Sequence, residues 1–226
     1  MRHLTTTIDQ LFAGGTGCLG DEGHRSGIFK TRQSGPLRVE KEGIVGDEQA
    51  DRRVHGGPEK AVHHYAREHY GELARAFPQS QALLVPGSLG ENISAGWLDE
   101  RNVHIGDTFR VGSAIMQVSQ PRSPCWKINH RFGEARMSVF VAQQRITGWY
   151  YRVIAAGEIR PGDAITLLER QTERFSIEQF WHVQLTHRPD GDDLAELIDV
   201  PGLAASWKQR LRERLAWLRK SASDVS

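Results

Sequence analysis

Up to about residue 170, apolar stretches in this 226-residue chain are short, and Gly, Asp, Asn or Pro soon interrupts each one. Segments 27–30, 37–41, 103–105, 108–111, 114–119, 149–155 and 164–168 have the length and punctuation of strands. Two segments share a grammar: NVHIGDTFRVG (102–112) and GEIRPGDAITLL (157–168) each place a Gly-Asp turn before an alternating strand. That spacing suits the hairpins of a barrel, although two such segments are too few to make a repeat. Helices interrupt this pattern at 67–77, where Pro78 provides the stop, and at 134–145.

Beyond residue 170 the period changes. Ser176 reads as an N-cap with Glu178 near the positive helix end, opening a helix to about Leu185. The run HRPDGDD breaks the chain. A short helix follows at 192–198, ended by Pro201-Gly202, and a third starts near 203 with Trp207, Leu211, Leu215 and Leu218 at helical spacing. The expected architecture is therefore a mainly β domain at 1–170 with peripheral helices, and a small three-helix domain at 171–226. The last helix carries Lys208, Arg210, Arg212, Arg214, Arg219 and Lys220. A solvated face is the ordinary meaning of such a pattern, and no interleaved aromatic platform points to single-stranded nucleic acid.

A hydrophobic fraction of 38% and a net charge of +1 describe an ordinary globular chain with no global attraction to nucleic acid or anionic membrane. The N-terminus lacks the apolar centre of a secretory signal, and no run is long enough to span a bilayer. Two cysteines suit a reducing compartment, so the cytoplasm is the expected location. They are too few for a four-cysteine iron–sulfur cluster, and no CxxC pair is present. Any electrons used in redox work must come from elsewhere.

The segment VSQPRSPCWKIN (118–129) concentrates the chemistry. Pro121 and Pro124 stiffen it and argue against helix, placing Cys125 on a loop. Arg122 and Lys127 favour the thiolate, the form that attacks or binds a soft metal. The plainer alternative is a small buried hydrophobe, the common fate of a free cysteine. Around His55-Gly56-Gly57-Pro58, the glycines let backbone approach a ligand with His55 alongside, or simply make a turn. His55, His63, His64 and His69 offer no HExxH helix, and neighbours 63 and 64 would diverge on a strand, which disfavours zinc. Asn92 in Gly90-Glu91-Asn92 carries an amide able to read a heterocycle edge, or serves a turn. No GxGxxG, GxxxxGK[ST] or GxSxG is present. A hydrolase pairing Cys125 with a histidine stays open on these residues alone.

Taken together, GDEQAD (46–51) with HGGP (55–58), FPQSQALLVPGSLGENIS (77–94), NVHIGDTFRVG, VSQPRSPCWKIN and GWYYRVIAAG (148–157) resemble the MOSC family, named for the C-terminal domain of molybdenum cofactor sulfurases. The resemblance is nearest to its bacterial YiiM-type branch and covers nearly the whole chain. It implies a MOSC-type β-barrel followed by a small C-terminal three-helix domain, and a molybdenum cofactor of the molybdopterin type. Cys125 is then the catalytic residue and molybdenum or sulfur-transfer ligand. Arg122 and Lys30 would meet phosphate or pterin, Asn92 and His55 the pterin edge, and Ser123 the surroundings of the metal. Lys127 is divided between cofactor and surface, and Asp47 would orient the basic groups. The implied activity is reduction of small N-hydroxylated compounds such as 6-N-hydroxylaminopurine, fed by an external reductase. The alternative is a cofactor or sulfur carrier passing a Cys125 persulfide to a partner, although no aminotransferase-like half is present to generate that sulfur. No lysine lies in a recognisable context for pyridoxal phosphate. Nucleic acid and membrane are not expected partners, and the residues do not decide between monomer and homo-oligomer.

Overall fold

The computed structural model describes residues 4–20, 23–52 and 56–223. Short strands dominate the first three-quarters: β1 (Thr5–Thr7), β2 (Gln10–Ala13), β3 (Gly17–Leu19), β4 (His24–Ser26), β5 (Thr31–Gln33), β6 (Leu37–Glu40), β7 (Gly43–Ile44), β8 (Val62–Ala66), β9 (Ile93–Ala95), β10 (Thr108–Val111), β11 (Ala114–Pro121), β12 (Trp149–Ala155), β13 (Gly157–Ile159) and β14 (Ala164–Glu169). Among the described residues, α1 (His69–Ala76), α2 (Trp126–Phe132) and α3 (Met137–Gln143) interrupt them. Three more close the chain: α4 (Ile177–Leu185), α5 (Gly191–Asp199) and α6 (Ala205–Ser223).

Nine strands form one sheet in the order β1-β14-β10-β11-β12-β8-β9-β2-β5. It is mixed, because β8 and β9 run parallel while the other pairs are antiparallel. Register shifts at Thr108/Phe109, Ile115/Met116 and Val118/Gln120 bend the long central strands, and the sheet curls into a half-barrel. A three-stranded sheet, β13-β6-β7, and the β3-β4 hairpin lie beside it. Both Gly-Asp turns open strands, at β10 and β14, and these two strands pair with each other.

Two expected strands are replaced. Residues 27–30 run as loop, with the strand only at β5, because the segment is pressed against other backbone: a Cβ on Gly27 would lie 2.6 Å from the Glu48 carbonyl oxygen. Residues 103–105 keep one bridge, His104 to Ser176, held by the Asp107 carboxylate accepting from the His104 amide at 2.9 Å. Conversely, α2 begins at Trp126, one residue beyond Pro124, with Cys125 as its N-cap. A proline just ahead of a helix costs it nothing, since the first amides lack partners anyway.

The three C-terminal helices form as the caps and spacing indicate. Ser176 accepts from the Gln179 amide at 3.1 Å, and Trp207, Leu211 and Leu215 are buried. Their side chains share one hydrophobic core with Phe109, Val118 and Trp149 of the sheet. A second core gathers α1, α2 and α3 around Tyr65, Tyr70, Leu89, Ile128 and Phe132. β8 divides the two, with Val62 in the first and Tyr65 in the second. No helix among the described residues is long and apolar enough to cross a membrane.

Candidate functional site

Where β11 ends, the proline-flanked loop crosses the end of the β8–β12 pair, and a cleft opens between the two cores. Its non-atom space is about 620 Å³, open solvent at the mouth included. Residues of four chain segments line it, within 26–30, 47–50 and 89–92 and at Arg122, Cys125 and Lys127, joined by Lys60, His63 and Tyr150.

Cys125 is half-buried on the cleft wall, with extended backbone (φ −131°, ψ 167°) as the last residue before α2. The loop is pinned by the Arg122 amide, which donates to the Gly148 carbonyl at 3.0 Å. The Arg122 side chain is buried. Its Nη2 donates to the Leu89 carbonyl at 3.4 Å, and its Nη1 has no partner. His63 Nε2 is likewise buried and unpartnered. Burial, and then the Arg122 charge beside it, pushes the His63 imidazole well below the ordinary histidine range, so it is neutral at physiological pH. Its ring packs on Tyr150 at 5.1 Å, and burial pushes that phenol up.

Opposite Arg122, Lys30 forms an ion pair with both oxygens of Asp47, each side chain almost fully buried. Burial lowers the Lys30 ammonium from its usual value, and Asp47 pulls it back up. Asp47 also accepts from the Gly14 amide at 3.0 Å and from Asn92 Nδ2 at 2.9 Å. Asn92 is fully occupied as a donor, since the same amide nitrogen also reaches the Phe12 carbonyl at 3.2 Å. Its Oδ1 accepts from the His63 amide at 3.0 Å. Behind the wall, Glu91 accepts from Tyr70 Oη at 2.6 Å, while its Oε2 is buried without a partner. Burial raises its carboxyl.

The structure thus brings Lys30, Asn92, Arg122, Cys125 and Lys127 to one cleft, with Asp47 orienting Lys30. Asn92 serves as scaffold, tying Asp47 to β8, which leaves it no amide hydrogen for a ligand edge. Lys127 stands on the rim with its ammonium donating to the Arg25 carbonyl at 2.8 Å. Ser123 is solvent-exposed and does not line the cleft. His55 lies outside the described residues. The residues alone leave open which histidine accompanies Cys125; the cleft holds His63, together with Tyr150, which carries no sequence signal of its own. The register of β8 against β12 places them opposite each other, a signal available only once strands are paired. His63 and His64 do diverge: His64 packs on Trp149 at 4.4 Å and accepts or shares a hydrogen with Tyr151 Oη at 3.0 Å.

Two buried nitrogens without partners, in a cleft with a second buried cation and a thiol, fit an anionic ligand bearing a flat polar ring and a soft centre. Molybdopterin, with its phosphate, pterin and thiophilic metal, matches that donor set.

The model of the MOSC domain matches residues 51–166. Protein YiiM of Escherichia coli (strain K12) is 39% identical over 196 residues, covering 85% of this chain and 86% of that protein. A protein named Reductase from Gibberella moniliformis (strain M3125 / FGSC 7600) is 36% identical over 186 residues, which are 82% of this chain but 33% of that protein. The crystal structure of YiiM from Escherichia coli superposes with a TM-score of 0.77 at 31% identity, covering 96% of this chain and 93% of that one. By domain model, relatives and architecture alike, the chain belongs to the MOSC domain family.

Proposed function

We propose that this protein is a molybdenum-cofactor-dependent reductase of small N-hydroxylated compounds, 6-N-hydroxylaminopurine being the representative substrate. One observation carries the reading: Arg122 Nη1 and His63 Nε2 are buried without partners in the cleft that Cys125 lines. Unpaired buried polar atoms are costly, about 1–3 kcal/mol each, and a ligand that pairs them repays that cost on binding. Family membership and the fungal relative's name point the same way.

Each residue has work that follows from its surroundings. Arg122 offers a planar fork to an anionic group, held in place by its own amide and the Leu89 carbonyl. Lys30 is held in the cleft wall by its ion pair with Asp47, which orients its ammonium. Neutral His63 presents its Nε2 as donor or acceptor without adding a cation next to Arg122. Cys125 would hold the metal through its sulfur, a soft ligand. The cofactor, when bound, supplies the two-electron reduction of N–OH to N–H, in which two protons are taken up and water leaves. Electrons come from an external reductase. The fungal relative, of which this chain matches only a third, carries much additional chain in one polypeptide. In this reading the curled sheet is the MOSC barrel, residues 171–226 are its helical appendage, and the cytoplasm keeps the thiol reduced.

The test is metal content and activity of protein made in a host that synthesises the cofactor. Cys125→Ala is expected to lose molybdenum and at least about tenfold in reduction of 6-N-hydroxylaminopurine by a chemical reductant. Full metal loading with undiminished reduction in the variant overturns the assignment. A removable mass increase of one sulfur on wild-type protein, with no reduction at any reductant concentration, replaces it with the sulfur-carrier alternative.

A further inference from the structure

The longest helix has a composition that neither core explains. Between Ala205 and Ser223 it carries six cations, Lys208, Arg210, Arg212, Arg214, Arg219 and Lys220, against one carboxylate, Glu213. The whole chain has a net charge of only +1, so this is a local excess. Trp207, Leu211 and Leu215 face the core. Helical spacing then puts Arg210, Arg214 and Trp217 along one flank. Arg214 is spent on the carbonyls of Val183, Gln184 and Thr186 at the end of α4. Arg210 and Trp217 stay exposed, the indole by 55%. Arg210 lies 5.3 Å over the Trp207 ring, which holds its guanidinium in place.

The helix is anchored next to the cleft. Immediately before its first turn, the Ala204 amide donates to the Ser119 carbonyl at 2.9 Å. Ser119 Oγ donates to the Glu59 carbonyl at 2.5 Å, and the next residue, Lys60, lines the cleft. The Arg210 charge is felt at Lys60, whose ammonium is lowered by burial first and by Arg210 second. The Arg210 end of this cationic flank therefore lies beside a cleft-lining residue, with the exposed tryptophan about two helical turns further along, and the site holds no redox cysteine pair of its own.

We infer that the Arg210–Trp217 flank of α6 is the docking face for an acidic electron-carrier protein that delivers electrons at the cleft mouth. The inference rests on the reductase reading for its purpose, not for its location. The carrier is a reduced flavin or iron–sulfur protein with a carboxylate-rich surface. Two electrons pass from it for each N–O bond broken, the carrier is oxidised, two protons come from water, and the oxygen leaves as water. Charge complementarity of this kind acts mainly on the encounter rate and weakens with salt. A tryptophan inside a charged patch is a common anchor of such contacts.

The probe is reduced flavodoxin, an acidic flavoprotein, titrated against the full-length protein at low and high salt, with reductase turnover measured in parallel. Arg210→Glu is expected to weaken flavodoxin binding and flavodoxin-driven kcat/KM by about tenfold at low salt, while turnover with reduced methyl viologen is unchanged. Trp217→Ser, at an exposed site, is expected to weaken the same binding without touching viologen turnover, and it guards against a folding defect in the first variant. Arg110→Glu, an equal charge change at the one exposed position of β10, is expected to change neither. Unaltered flavodoxin binding in both α6 variants overturns the inference. So does a loss confined to retention of a DNA duplex. No viologen-driven reduction in wild-type protein fails the reductase reading instead. In that case salt-sensitive flavodoxin binding lost in Arg210→Glu still supports the docking face, and its absence still overturns it.

Discussion

His63 and His64 are neighbours in sequence with separate environments, because successive strand residues point to opposite faces. His63 reaches the cleft, and His64 is sealed against Trp149 and Tyr151 in the main core. Burial pushes the His64 imidazole down to about 3. The unfolded chain takes up a proton at this residue below about pH 6.5, whereas the folded chain refuses it until about pH 3. Stability is therefore lost progressively as pH falls through that window, by up to about 4–5 kcal/mol, with nothing further lost from this group below it. In urea titrations from pH 7 to pH 3.5, His64→Phe is expected to flatten the decline relative to wild type. Equal slopes in the two proteins would show that His64 does not drive acid unfolding. The Lys30–Asp47 pair illustrates a different point at this scale. The family resemblance implied Lys30 as a basic residue near a cofactor and Asp47 as the group that orients the basic side chains. Nothing local to either residue says that both would be almost fully buried.

At the scale of elements, the strands that the alternating pattern marks most clearly form where that pattern lies. Residues 108–111 and 149–155 coincide with β10 and β12. The misses have local causes. Residues 27–30 look like a strand but contact backbone from 48 and 90, so their edge is covered by loops instead of a partner strand. α2 was hidden because the prolines that stiffen its approach also mask its start. A single glycine joins these elements to the site. Gly148, at φ +71°, opens β12, accepts from the Arg122 amide and donates to Glu100 Oε1 at 2.7 Å. A Cβ there would lie 2.4 Å from the His64 carbonyl oxygen, which is backbone and cannot step aside. Gly148→Ala is expected to cost about 3 kcal/mol in denaturant unfolding and to lower cofactor retention, since the Arg122 loop hangs on that carbonyl. Unchanged stability and retention would mean that the β8–β12 entry can relax.

Across the whole molecule, the boundary at residue 170 marks a change of secondary structure without a break in the core. Phe180, Trp181 and Trp207 pack in the same cluster as Phe109 and Trp149, and Trp181 Nε1 donates to Thr147 Oγ1 at 2.9 Å. Shared burial of this extent couples the two parts energetically. A single calorimetric transition is expected, with calorimetric and van't Hoff enthalpies in agreement. Two resolved transitions would instead describe a barrel and a helical unit that unfold separately.

By itself the sequence determined what is local: the short strands, the three closing helices with the Ser176 cap, and a thiol on a proline-stiffened loop among cations. Those follow from side-chain periodicity, capping and φ restriction, each set within a few residues. The tertiary structure decided the company Cys125 keeps. Lys30, Asp47, His63 and Asn92 arrive from distant segments to join Cys125 and its neighbour Arg122, and their meeting depends on strand order and register. A one-residue slip of β8 against β12 would carry His63 to the other face, and no local pattern encodes that register.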